Sequence, residues 1–205
     1  MQFFAWIGLM RMMIFFTQYS IHTVFSVPDL AGMDETMKNF YSSLSTEGAN
    51  FSSICFAIFN LVCFVVAIPI GKLADRFGNK YIHIISLVSM AIAYLIMAFT
   101  VDKTLVMAAM GLAGIGWSST LALPFARLSK YIKPGTEGSI MGIFNIFIAG
   151  PQVFVCTLVA WIINNSVIVS GNLINYHYEY SFYIGAVCLL ISALITNIIK
   201  ENANE

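Results

Sequence analysis

Charge is scarce in this chain of 205 residues: Asp, Glu, Lys and Arg make up 10% of it, while 59% is hydrophobic. Soluble domains devote about 25% of their residues to charge, so a water-facing globular surface is excluded. The charges present cancel, ten basic against ten acidic, which argues against nucleic acid as a partner. Histidines and cysteines are few, and none are paired at the spacing of a zinc site. Cys55, Cys63, Cys156 and Cys188 all lie inside apolar runs, where they read as small buried hydrophobes rather than an exterior disulfide framework. Asn-Pro-Ala turns, the mark of a water channel, are missing. A secretory leader is not expected either, because Met1-Gln2 supplies no basic region and no small-residue cleavage site follows.

Long apolar runs are what the chain has in quantity. Residues 54–70 hold one strongly polar side chain, Asn60, and residues 84–99 only the small hydroxyls Ser86 and Ser89. Crossing ~30 Å of hydrocarbon takes about 20 helical residues at ~1.5 Å each, and several runs reach that length. Barrel strands would instead show alternating segments of ~10 residues. The expected fold is all-α: a polytopic membrane protein with a single bundle over residues 1–200 and a cytoplasmic tail at 201–205. Its six spans fall near 2–27, 51–71, 81–100, 104–125, 138–164 and 178–199.

The connections alternate in character. "GKLADRFGNKY" and "RLSKYIKPGTEG" are short and basic, whereas residues 28–50 are long and acidic, "VDK" is minimal, and "NSVIVSGNLINYH" is polar without charge. Lys72, Arg76, Lys80, Arg127, Lys130, Lys133 and Lys200 gather at one side, and only Lys38 and Lys103 at the other. The positive-inside rule then makes both termini cytoplasmic, as an even number of spans also requires, in a plasma membrane or bacterial inner membrane. The first span opens at Gln2 with no lead-in, which fits either a short N-terminus or a chain that begins partway through a longer protein.

An unsatisfied amide in hydrocarbon costs several kcal/mol, so polar side chains inside spans should turn inward. Gly138, Gly142, Asn145, Ala149, Gln152 and Cys156 advance by alternating steps of four and three, which keeps them on one helix face. Ile140, Phe147, Phe154 and Trp161 lie off it. The first span repeats the device with Phe4, Gly8, Arg11, Phe15, Gln18 and His22, and the second with Ser53, Ala57, Asn60, Phe64, Ala67 and Gly71. In the fourth, Gly111, Gly114 and Gly116 permit close helix contact, and Trp117 stands beside three hydroxyls. The third and sixth spans lack such a stripe, which predicts two peripheral lipid-facing helices and four inner ones in a three-plus-three arrangement.

For Asn60 two roles stay open, helix glue or pathway wall. Asn145 and Gln152 flank a helix break at Gly150-Pro151, with Pro124 a second break, and read as the wall of a water-filled pathway. Arg11 sits roughly 14 Å along its helix, too deep to snorkel, and no Asp or Glu lies within the spans. Its counter-charge is therefore a ligand, a backbone carbonyl or another chain. The candidate pathway residues are Arg11, Gln18, Asn60, Trp117, Asn145 and Gln152. A serine protease reading fails, because "GWSS" at 116–119 lacks the final glycine and His22 and His83 sit near span ends.

Two stretches carry a resemblance. "GKLADRFGNK" is similar to the loop between the second and third helices of each half of major facilitator transporters: Gly71, Asp75, Arg76, Gly78 and Lys80 match, and Asn79 replaces a usual basic residue. The stretch from Gly114 to Gln152 resembles the sucrose and disaccharide:proton symporters of the glycoside–cation branch. Gly114, Gly116, Trp117, Pro124, Leu128, Pro134, Gly138, Met141, Gly142, Phe144, Asn145, Pro151 and Gln152 match in order. "QFFAWIGLM" resembles the seventh helix of that branch, with Arg11 departing from an apolar position and Gln18 from a common proline. The resemblance covers nearly the whole chain and only the C-terminal six-helix half of such transporters. It implies that the Gly71–Lys80 segment is a conformational switch and that the chain is one wall of a site for a sugar and a coupled proton. It further implies a complementary N-terminal half, or a second copy, as partner, with no cofactor and no metal. A non-transporting or regulatory protein of the same fold is the competing expectation.

Overall fold

Hydrocarbon offers the backbone no partners, so apolar runs of this length close their hydrogen bonds within helices. The structure, a computed structural model, describes residues 1–28, 34–129, 132–170 and 173–199. Lys130, Lys200 and the tail at 201–205 lie outside the described residues. The helices are α1 (Gln2–Tyr19), α2 (Glu35–Phe77), α3 (Asn79–Phe99), α4 (Lys103–Ser129), α5 (Glu137–Phe154), α6 (Ala160–Asn165) and α7 (Glu179–Ile198). Wider π turns extend α1 over Ser20–Val24 and join α5 to α6 over Val155–Val159.

Among the described residues, five helices are long and apolar enough to cross a membrane: α2, α3, α4, the continuous Glu137–Asn165 and α7. The expected sixth span, α1, carries Gln2, Arg11 and Gln18 within 18 residues and is not among the five. It lies inside the bundle, with Ala5, Leu9, Met12 and Phe16 fully buried.

Packing follows a ring. α1 packs on α5 and α7, α7 on α3, α3 on α4, and α4 on α2. Aromatic edges close it: Phe16 meets Phe56 at 5.4 Å, and Trp117 bridges Trp6 at 6.0 Å and Phe59 at 5.9 Å. The α4 glycines set how tightly the ring closes. A Cβ on Gly114 would lie 2.5 Å from the Phe59 carbonyl oxygen of α2, and one on Gly116 only 2.6 Å from Met90 Cβ of α3.

Four expectations need correction. First, residues 35–50 are not loop. Asp34 caps their start by accepting from the Met37 N–H at 3.0 Å, and they run unbroken into a 43-residue α2. Second, α2 continues to Phe77, so Gly71, Asp75 and Arg76 stand on helix. The link to α3 is Gly78 alone, at φ 93°, a left-handed geometry that suits glycine.

Third, Pro124 and Pro151 break nothing, because each lies inside a continuous helix, as does Gly150. Pro151 removes one donor from the ladder without ending the helix, and a π turn follows over Val155–Val159. Fourth, the uncharged loop holds an antiparallel hairpin, β1 (Val167–Ser170) with β2 (Leu173–Tyr176).

α3 and α7 pack on each other, yet they are not the most lipid-exposed helices. Of their most apolar stretches 44% and 50% are buried, against 17% for α2 and 22% for Glu137–Asn165. The two least buried of these helices are the ones that carry Asn60, Asn145 and Gln152.

Candidate functional site

Two exposed stripes define the candidate site. On α5, Gly138, Gly142, Asn145, Ala149, Gln152 and Cys156 are all exposed, while Pro151, Val155 and Val159 bury the adjacent face against α1. On α2, Ser53, Ala57, Asn60, Phe64 and Ala67 are exposed, while Cys55 and Phe59 pack inward. These stripes share the exposed surface with large apolar side chains, Ile143, Ile146, Phe147 and Val153 on α5 and Leu61, Val65 and Ile68 on α2, whereas polar groups in spans usually turn inward.

Each polar group on these stripes meets its burden differently. The Asn60 amide donates to the Phe56 carbonyl oxygen at 2.8 Å, and the Ser53 hydroxyl to Ala49 O at 3.1 Å. Both therefore satisfy a donor within their own helix turn. The side-chain amides of Asn145 and Gln152 have no hydrogen bond within the described residues and stay available to an external partner. Gln18 of α1 is exposed as well.

Arg11 is elsewhere. Gly8 and Arg11 of its stripe face α7, where a Cβ on Gly8 would come within 2.7 Å of Leu189 Cγ. Small residues there serve close helix approach rather than a water path. Arg11 is fully buried, with its guanidinium 3.8 Å from the Tyr94 ring centroid and 4.5 Å from that of Phe182. Nη1 donates to Ser181 Oγ at 3.4 Å, while Nε and Nη2 have no partner. A Cβ at Gly185 would overlap the guanidinium. The counter-charge anticipated for Arg11 is thus replaced by two ring faces and one hydroxyl, a cation–π arrangement worth about 2 kcal/mol when desolvated.

Trp117 is half-buried at the junction of α1, α2 and α4. Its neighbouring hydroxyls are spent in packing: Ser119 Oγ bonds His83 Nδ1 at 3.0 Å, and Thr120 donates to Gly116 O at 2.9 Å. In the Gly71–Lys80 segment Asp75 and Arg76 are exposed, the Arg76 guanidinium lies 5.2 Å from the Phe77 ring, and Lys80 Nζ donates to Ile199 O at 2.9 Å. Lys80 therefore ties the α2–α3 link to the last carbonyls of α7. Gly71, expected to pack closely, has open space around it.

The structure thus leaves Asn60, Asn145, Gln152 and Gln18 uncovered and encloses Arg11 among α1, α3 and α7. Tyr94, Phe182 and Gly185 escaped the sequence reading because their spans carry no amide stripe. The available signal was Gly185, a glycine one turn from Phe182 within a span.

Helices long and apolar enough to cross a membrane describe an integral membrane protein. The sequence profile of the Major Facilitator Superfamily matches residues 3–202, and the chain belongs to that superfamily. No curated protein and no solved structure matches it at a significant level.

Proposed function

We propose that this chain works as one of two six-helix bundles of a secondary transporter for a sugar or glycoside, coupled to a cation, with a proton the first choice. Alternating access would rock the α2–α5 face against a second bundle around a site near the membrane midplane. The observation that carries this reading is the pair of exposed small or polar stripes on α2 and α5. Against lipid, Asn145 and Gln152 would each forfeit several kcal/mol, whereas against a hydrated cavity they are free to meet a ligand. Amides offer both a donor and an acceptor, which is what sugar hydroxyls need, and the resemblance of residues 114–152 to disaccharide symporters points the same way.

Within this reading Asn145, Gln152, Asn60 and Gln18 contact the pathway, and Trp117 supports its wall. Gly71, Asp75, Arg76, Gly78 and Lys80 act at the cytoplasmic end. Sugar uptake tests it, measured in cells that make this chain alone and then together with a complementary six-helix half. The expected result is uptake only in the pair. Robust uptake by the chain alone would make a self-sufficient homodimer the better account, and no uptake in any pairing would favour a non-transporting protein of the same fold.

A further inference from the structure

An open cleft of about 400 Å³ lies where α1, the π turn after α5, α6 and β2 meet. It belongs to the end of the bundle opposite Gly71–Lys80, since α5 and α6 run away from that end and α7 returns to it. Four aromatic side chains line it, Phe15, Trp161, Tyr176 and Tyr178, together with the hydroxyl of Thr157 and the amide of Asn164. We propose that this cleft is a second carbohydrate site, an encounter site that takes a pyranose ring before it reaches the α2–α5 face. The inference rests on the sugar reading above for the ligand's class.

The lining has the two properties such a ligand demands. A pyranose presents an apolar C–H face and a rim of hydroxyls, and flat rings beside a few polar groups match both. Trp161 is 65% exposed, so its indole face is open to a ligand rather than consumed by packing. Thr157 spends its proton on Val153 O at 2.8 Å, which leaves its oxygen able to accept. Asn164 is exposed and brings both a donor and an acceptor.

The tyrosine wall is held in place from behind. His22 stacks on Tyr178 with centroids 5.4 Å apart and 22° between planes, while its Nδ1 bonds Val27 O at 2.7 Å. His177 bonds Glu179, and Glu179 accepts from the Thr23 hydroxyl at 3.4 Å. The turn between β2 and α7 is thereby tied to α1. An interfacial aromatic belt needs rings only at headgroup depth; it does not need them converging on one cleft with an amide and a hydroxyl.

Saturation-transfer NMR on the chain in lipid nanodiscs tests this, with methyl β-glucopyranoside as probe and acyclic sorbitol as control. The expected result is transfer to the ring C–H protons that falls at least fivefold in Trp161→Ala, survives in Trp161→Phe, and persists in the Asn145→Ala, Gln152→Ala double variant, whose residues do not line the cleft. Because Trp161 is largely exposed, its truncation leaves the core intact, and circular dichroism confirms that each variant is folded. Unchanged transfer in Trp161→Ala, no transfer in the wild type, or equal transfer to sorbitol overturns the proposal and leaves the rings as an interfacial belt. Transfer lost only in the amide double variant also overturns it, while the transporter reading stands. Transfer at the cleft without uptake by any assembled pair supports the cleft and sinks the transporter reading instead.

Discussion

Arg11 shows how much one residue can change meaning between sequence and structure. Depth and charge made it a pathway candidate, yet it ends in a cage of Tyr94, Phe182 and Ser181 with two N–H groups unpartnered. Replacing a buried charge by a packed apolar side chain is commonly neutral or stabilising by about 1–4 kcal/mol. Arg11→Met is therefore expected to keep its membrane abundance and to unfold at an equal or higher temperature, read by a thermal-shift assay in detergent. Gly185→Ala should do the reverse, losing about 1–3 kcal/mol by overpacking, because its new methyl meets the guanidinium. The Arg11→Ala, Gly185→Ala double variant then recovers most of that loss, a coupling that independent sites would not show. For the amides, Asn145→Ala and Gln152→Ala should each weaken sugar affinity roughly 2- to 12-fold, the worth of one hydrogen bond, at unchanged abundance in the assembled transporter.

At the scale of elements, glycine separates packing from pathway. Gly114 of α4 meets the α2 backbone, whereas Gly142 on the α5 stripe has nothing within 4 Å. Gly114→Ala should lower the unfolding midpoint, by about 1–3 kcal/mol of overpacking, while Gly142→Ala should leave it unchanged and act on transport alone. Equal thermal shifts in the two variants would mean that the α5 stripe is packed rather than open. The elements were legible in the sequence wherever apolar length decides, which is why α3, α4 and α7 fall close to expectation. That the stripe residues of α2 and of α5 share a face was legible too, because a four-and-three step needs only helix geometry, but the expectation that these faces turn into the bundle is corrected: they are exposed.

What sequence could not place was context. Helical periodicity says which residues share a face but not what that face meets, so the Arg11 stripe and the Asn145 stripe looked alike. In the first, Gly8 and Arg11 face α7, and the second faces outward. The prolines misled for a related reason: a missing donor ends a helix only where the surrounding packing does not hold it, and α4 and α5 run on through Pro124 and Pro151. The long acidic segment looked like loop because it lacks apolar runs, yet a capping Asp34 and continuity with an apolar helix suffice to wind it.

For the whole molecule, topology is the outstanding test. Cysteines placed at Asn79 and Gly135 should react with an impermeant maleimide only from the cytoplasmic side, and one at Thr46 only from outside. Exterior labelling at position 79 would reverse the orientation. Ring packing also predicts where the fold is firm. Native-state hydrogen exchange should find α1, α3 and α7 slowest, since they enclose the Arg11 cage, with the exposed first third of α2 exchanging earlier.

That first third gives the molecule a pointer. A 43-residue helix extends about 65 Å, roughly twice what hydrocarbon requires, and residues 35–50, some 24 Å of it, precede the apolar run that opens near Phe51. Its far part packs on α4, the helix that carries Trp117, so any tilt of the transmembrane portion is drawn large at the tip. A 10° swing displaces the start of α2 by about 4 Å relative to the membrane surface, enough for a spin label near Lys38 to record as distance, one conformation at a time.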